Sequence, residues 1–367
     1  MEFSFTQEQD DIRKLAREIF KDLAAADKLP DFEAAVEWYD EPLWKALAAA
    51  GLVGVALPES VGGMGMGVLE LAVLCEQAGV FAAPIPLVWT TVAAGAIARF
   101  GSPEQIDRLL AGVADGSALL SMALEEPDSM DPEAPAARLV NGRLQGTKIC
   151  VPVASRSRAV LVPARTDSGV VVAIVDPNTD GVELQAQEVT TGELRYRMSF
   201  NDVVVSDQDI IAGGADVLAW IVDHTIAMLC ATELGVASQA LKMTAKYTGE
   251  REQFGKAIAT FQAVAQRAAD AYVDVESIRV ATWQSVWRLA EGKDARRELD
   301  IAKFWAAEAG HRACYAAQHL HGGIGVDKDY PLHRYYLLSR QLEITLGGAK
   351  AHLEALGERI AAEGVTD

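Results

Sequence analysis

The chain has 367 residues, half of them apolar, and a formal charge of −19. That length can bury a large core and divides into two or three domains. The negative balance argues against nucleic acid and anionic membranes as partners, although a few local cations can still hold a polyphosphate such as that of a CoA ester. No uninterrupted apolar run approaches the roughly 18 residues needed to span a bilayer. The start Met1-Glu2-Phe3-Ser4-Phe5 lacks the basic-then-apolar pattern of a secretory signal. Cys75, Cys150, Cys230 and Cys314 are far apart, without metal-like spacing. They read as reduced, mostly buried thiols of a cytoplasmic protein.

Residues 1–116 read as a helical domain. Phe5, Ile12, Leu15, Ala16, Ile19 and Phe20 recur at helical spacing, and Thr6 with Gln9 forms a capping pair. A second amphipathic helix is expected over Asp40 to Ala50, around Leu43, Trp44 and Leu47. The Gly-rich stretch from Leu57 to Gly67 invites comparison with a phosphate cradle, but it lacks the preceding strand and the Lys-Ser/Thr of a P-loop, so it reads as a loop between helices. Helices follow over Val68 to Phe81 and Thr90 to Phe100, with Ser102-Pro103-Glu104-Gln105 as the cap and first turn of another.

From about Ala118 the pattern becomes alternating and β-branched. Strands are expected at Leu119 to Leu124, Arg143 to Val151, Ala159 to Pro163, Val170 to Val175 and Tyr196 to Val205. Residues 117–213 thus form a small antiparallel, barrel-like β domain. Helical periodicity then resumes through 214–367, with long helices over Leu218 to Gly249 and Ala263 to Glu291. Between them runs Arg251-Glu252-Gln253-Phe254-Gly255-Lys256-Ala257-Ile258-Ala259-Thr260-Phe261-Gln262. Two readings of this link stay open. It is a helix–helix turn broken at Gly255 with a solvated Arg251, or it is an anion site in which Arg251, backbone N–H groups and Gln262 face a pyrophosphate. His224, His319, His321 and His333 show no helical pair with an acid at ligand spacing, so no metal site is expected.

The link resembles the R-x-x-F-G-x-x-I-x-x-F-Q signature of the acyl-CoA dehydrogenase family. A second match follows at Gln318-His319-Leu320-His321-Gly322-Gly323-Ile324-Gly325 and a third at Tyr330-Pro331-Leu332-His333-Arg334-Tyr335. The resemblance spans nearly the whole chain. It implies an α+β, mostly α fold: N-terminal helices, a middle β domain and a C-terminal four-helix bundle. It implies FAD as cofactor, acyl-CoA as substrate and an electron-transfer flavoprotein as electron acceptor. It also implies that Arg251, Phe254, Gln262, His319, Gly322 and Gly323 contact the ADP part of a flavin whose ring lies in a neighbouring subunit.

The sequence departs from the family where the ring is held. At Ala123-Leu124-Glu125-Glu126-Pro127-Asp128-Ser129-Met130-Asp131, Glu125 replaces the family's Thr and no Gly follows; these acids repel an anionic group where small residues admit one. At Gly146-Thr147-Lys148-Ile149-Cys150-Val151-Pro152, Cys150 replaces the Trp and Pro152 the hydroxyl residue, which removes a backbone donor. The catalytic Glu is missing as well. One family position falls on Leu346 in Thr345-Leu346-Gly347-Gly348, and the alternative falls on Thr225-Ile226. The expectation is a chain with no catalytic residue of its own. It resembles the non-catalytic subunit of actinobacterial heteromeric (α2β2) steroid-CoA dehydrogenases and completes a second dehydrogenase-like subunit's FAD site. Two alternatives stay open: a self-sufficient homomer using Glu343 or Asp223 as base, and a non-enzymatic acyl-CoA-binding scaffold.

Overall fold

A computed structural model describes residues 4–24, 39–129 and 131–363. Its helical N-terminal part contains α1 (Gln7–Leu23), α2 (Glu41–Ala49), α3 (Val68–Val80), α4 (Leu87–Phe100) and α5 (Pro103–Leu110). The ends of these helices follow from local chemistry. At α1, Thr6 N donates to Gln9 Oε1 at 3.0 Å and Gln9 N to Thr6 Oγ1 at 3.3 Å, a reciprocal cap that satisfies two free amides. Asp40 accepts from Leu43 N at 2.9 Å to start α2, and Ser102 with Gln105 forms the same box as Thr6 with Gln9 ahead of α5. The Gly-rich stretch before α3 is a folded loop and not a cradle: a Cβ on Gly63 would lie 2.1 Å from Leu57 O.

The middle section contributes β1 (Leu119–Met122), β2 (Arg138–Val140), β3 (Arg143–Pro152), β4 (Ser157–Thr166), β5 (Gly169–Val175), β6 (Val182–Gln187), β7 (Arg195–Val204) and β8 (Ile210–Ile211). They form one sheet in the order β6-β7-β3-β2-β4-β5-β8, with β1 added on β4. The sheet is mixed, since β1 and β2 run parallel to β4 while its other pairs are antiparallel. Leu144, Val160, Val162, Ala164, Ala173, Met198 and Phe200 fill its core. Periodicity missed β2, β6 and β8. Two of them are very short, and β6 (VELQAQ) shows only intermediate and exposed side chains, so its pattern carries no core signal.

The C-terminal helices are α6 (Ala215–Glu250), α7 (Gln262–Ala290), α8 (Arg296–His321), α9 (Leu332–Ile344) and α10 (Ala349–Glu363), with a two-residue hairpin β9–β10 (Glu252–Gln253, Lys256–Ala257) between α6 and α7. Helices α7 and α8 are tied by Arg312–Asp274 and Arg288–Glu298 ion pairs. Among the described residues α6 alone is long and apolar enough to cross a membrane, and most of its apolar stretch is buried inside the protein. Chain contacts divide the described residues into two compact units, 4–19, 39–71 and 84–225 in one and 20–24, 72–83 and 226–363 in the other. Within the second, α3 and α6 cross at glycines: a Cβ on Gly79 would lie 2.0 Å from Thr232 O, and one on Gly235 2.0 Å from Glu76 O. Only glycine permits so close a backbone approach.

Candidate functional site

The link between α6 and α7 is built from its backbone. Arg251 N donates to Tyr247 O at 2.8 Å, closing the last turn of α6, and Arg251 O accepts from Ile258 N at 2.8 Å. Gln253 and Lys256 pair across the hairpin. Phe254 and Gly255 form its tip, both with positive φ (54° and 79°). That conformation is ordinary for Gly255 and strained for Phe254, whose ring is 93% exposed. Phe261 meets it edge-on at 6.2 Å and lies beneath Lys256 Nζ at 4.5 Å. Arg251 and Gln262, the first residue of α7, are both exposed.

The second piece is the turn after α8. Gly322 takes φ 65°, ψ −141°, a region open essentially to glycine alone. No atom lies within 4 Å of a Cβ placed on Gly322 or Gly323, so this backbone is open to a ligand. His319 is exposed, while His321 is buried. The His321 ring stacks on Tyr247 at 4.5 Å between centroids. Its Nδ1 lies 2.7 Å from Ala317 O and its Nε2 3.2 Å from Tyr330 Oη. Tyr247 stands one helical turn before Arg251, and His321 directly precedes Gly322. This stack therefore brings the link and the turn together on one side of the second unit. In the sequence His321 is one histidine among several; its contacts with Tyr247 and Tyr330, on two other elements, set it apart only in the structure.

Leu346 and Thr225-Ile226, the positions that the resemblance matches to the family's base, carry no carboxylate. Leu346 is buried with φ 55°, in a turn fastened from two sides. Lys303 Nζ donates to Leu342 O at 2.9 Å, Glu343 O at 3.0 Å and Gly347 O at 2.9 Å. The His352 ring spans Leu346 O and Asp300 Oδ1, each at 3.0 Å. Glu343 is engaged by Arg340 and by His311 Nδ1 at 3.3 Å. At the alternative position Thr225 is fully buried, its hydroxyl donating to Ile221 O at 2.7 Å. Next to it His224 stacks on Trp220 at 3.7 Å, and burial pulls its pKa down to about 4, so its ring is neutral at pH 7. Asp223 is half-buried on the same turn.

The β section closes on itself where Glu125, Cys150 and Pro152 were singled out; Met130 of that run lies outside the described residues. Glu126 accepts from Ala136 N and Ala137 N at 2.6 and 3.0 Å and pairs with the fully buried Lys148 at 2.7 Å. Burial works against its charge, but Lys148 and the two amides hold Glu126 below the usual carboxylate range. Strand β3 is irregular between Lys148 and Val151, and Cys150 stands at φ 52°. Cys150 N donates to Gln187 Oε1 at 2.8 Å, and Cys150 O accepts from Arg195. Arg195 is itself paired with Glu193 at 2.8 Å and packed over Trp89 at 4.8 Å. Pro152 O accepts from Ser121 Oγ. Among the described residues no group of three His, Cys, Asp or Glu is placed to hold a metal ion.

Comparison with known proteins adds to this geometry. The family description "Acyl-CoA dehydrogenase, N-terminal domain" matches residues 6–117, and "Acyl-CoA dehydrogenase, C-terminal domain" matches residues 212–361. Acyl-CoA dehydrogenase FadE27 of Mycobacterium tuberculosis is 38% identical, over 98% of this chain and 99% of its own. Among solved structures, a variant of the Tcur3481–Tcur3483 steroid ACAD superposes with a TM-score of 0.92 at 42% identity, covering 98% of this chain and 99% of that one. The ChsE4–ChsE5 complex of Mycobacterium tuberculosis superposes with a TM-score of 0.94 at 36% identity, covering all of both chains.

Proposed function

Because the chain belongs to the acyl-CoA dehydrogenase family, we propose that it is the non-catalytic subunit of a heteromeric, FAD-dependent acyl-CoA dehydrogenase. It lends the ADP half of a cofactor site to a second, dehydrogenase-like subunit. Arg251, Phe254, Gln262, His319, Gly322 and Gly323 would hold that half. The fit rests on an exposed guanidinium for a pyrophosphate, a glycine turn with open space where Cβ atoms would stand, and an exposed aromatic at the hairpin tip. Bound FAD supplies the hydride acceptor for α,β-dehydrogenation of an acyl-CoA; the α proton goes to a carboxylate of the partner. Two solved chains of the same fold belong to a steroid ACAD and a two-component complex, which supports a ring-bearing, steroid-derived CoA ester as substrate. The enzyme would be cytoplasmic, assemble as a heterotetramer and pass its electrons to an electron-transfer flavoprotein.

One observation supports this reading most. Leu346, which the resemblance matches to the family's base, is buried and apolar in a turn held by Lys303 and His352, while Arg251, Phe254, Gln262 and His319 are exposed. Glu343, the alternative base, is tied to Arg340 and His311, which favours a structural role for it. The test is an absorbance spectrum from about 300 to 550 nm of the purified chain alone, and of the chain co-expressed with a neighbouring dehydrogenase-like partner. A colourless chain and a yellow, acyl-CoA-oxidising complex are expected. A lone chain that is yellow and oxidises acyl-CoA overturns the reading.

A further inference from the structure

We propose that His321 is a positioning residue: a neutral imidazole fixed in one tautomer, which sets the Gly322–Gly323 turn and ties it to the end of α6 that carries Arg251. The role rests on the functional reading above, in which those two pieces hold the ADP part of FAD.

The tautomer follows from the partners. Ala317 O, 2.7 Å from Nδ1, can only accept, so Nδ1 carries the proton. In the neutral ring Nε2 then keeps a lone pair, and the Tyr330 hydroxyl at 3.2 Å donates to it. Burial pushes the His321 pKa down, which favours this neutral form. One ring face lies on Tyr247, with planes within 20°, and Tyr330 leans against it at 5.3 Å. All of the ring's degrees of freedom are therefore spent: one nitrogen on its own helix, the other on the segment before α9, and the face on α6.

Two consequences reach the candidate site. Gly322 follows His321 directly and its N–H donates to His319 O. A Cβ on Gly325 would lie 2.6 Å from Gln318 O and 3.2 Å from His321 Cβ, so the turn folds back on the last turn of α8, where the anchored His321 is the side chain it rests against. Tyr247 O accepts the Arg251 amide at 2.8 Å, so the residue under the imidazole is also the one that ends α6 at Arg251. A phenylalanine at 321 would keep the stack and lose both hydrogen bonds, which separates positioning from packing.

The test uses the complex with the co-expressed partner, carrying His321→Phe, Tyr330→Phe or, as reference, Arg251→Ala. Nitrogen-15 histidine labelling should show His321 as the Nδ1–H tautomer at pH 7, with its Nε2 resonance displaced by Tyr330→Phe. His321→Phe should release FAD about five-fold faster or more, as expected for the loss of neutral hydrogen bonds, and Tyr330→Phe should release it faster to a smaller degree. If His321→Phe does not fold, Tyr330→Phe carries the same test, because it removes one hydroxyl and keeps the ring. An Nε2–H tautomer or an imidazolium at pH 7 overturns the proposal. So does a His321→Phe complex that keeps FAD as the unaltered one does while Arg251→Ala loses it. If Arg251→Ala also keeps its FAD, the functional reading falls and takes the positioning role with it.

Discussion

Glu233 is 1% exposed on α6. Ser339 donates to its Oε1 at 2.7 Å, and its Oε2 has no hydrogen-bond partner. Its carboxyl group lies against Gly310 of α8, where a Cβ would fall 2.2 Å from Oε1. Burial raises its pKa to about 8, against the smaller opposing pulls of Ser339 and Lys303 and with a further push from Glu343. The sign of the pH effect follows. Below the ordinary carboxylate range both folded and unfolded chains hold the proton, and folding carries no penalty. As pH rises toward about 8 the unfolded chain releases the proton while the folded one keeps it, so stability declines through that window. Glu233→Gln removes this slope. Urea unfolding should place the variant level with the parent near pH 4.5 and ahead of it at pH 8, on the order of 2–4 kcal/mol. An equal offset at both pH values would show that Glu233 is ionised in the fold. Legibility was uneven at this scale. Leu346 drew attention in the sequence only through its count from Tyr330-Pro331 under the resemblance, and the structure adds that it is buried. Glu233 was not readable, because a glutamate within a helical run reads as a surface residue until the facing Gly310 is known. His321 was not, because its partners lie on two other elements.

The crossing of α3 and α6 shows what an element owes to single glycines. A Cβ on Gly235 would meet Glu76 O at 2.0 Å and Val80 N at 2.7 Å. Both are backbone atoms, so no side chain can swing aside. Gly235→Ala must push the helices apart and should cost about 3 kcal/mol or more, the upper end for overpacking, read as a fall in the thermal midpoint. Gly249→Ala is the control on the same helix. Nothing lies within 4 Å of its Cβ, and alanine's helix propensity should stabilise it by up to about 1 kcal/mol. Similar losses for both would mean that helix propensity, not the crossing, decides. The helices themselves were readable from apolar spacing, and their starts from Thr6, Asp40 and Ser102. The crossing was not: a glycine inside a helical pattern does not say which backbone approaches it. The hairpin at Phe254-Gly255 was readable as a turn, yet its strained Phe254 was visible only in the structure.

At the scale of the whole molecule, the two regions that the proposed function contrasts differ in kind. On the second unit the Arg251 link and the Gly322–Gly323 turn are open. On the first, the β section spends its charges internally, in Glu126–Lys148 and Glu193–Arg195. Breaking one buried pair leaves an uncompensated charge, so a single substitution at either pair costs stability. The helix, strand and helix blocks were legible because hydrophobic period changes at each border. The grouping of 72–83 with the C-terminal helices was not, since it depends on contacts between distant segments. If this chain supplies only one half of a site, its flavin stoichiometry is fixed. A complex with an equal number of partner chains should carry one FAD for every two polypeptides, measured from flavin absorbance against total protein. Leu346→Glu would restore a carboxylate at the base position but not the ring half. The lone variant should therefore stay colourless and inactive, and the complex that contains it should keep the same ratio. One FAD for every polypeptide would mean that this chain's own β section holds a ring after all. Leu346→Glu would then become the variant in which to look for a second active site.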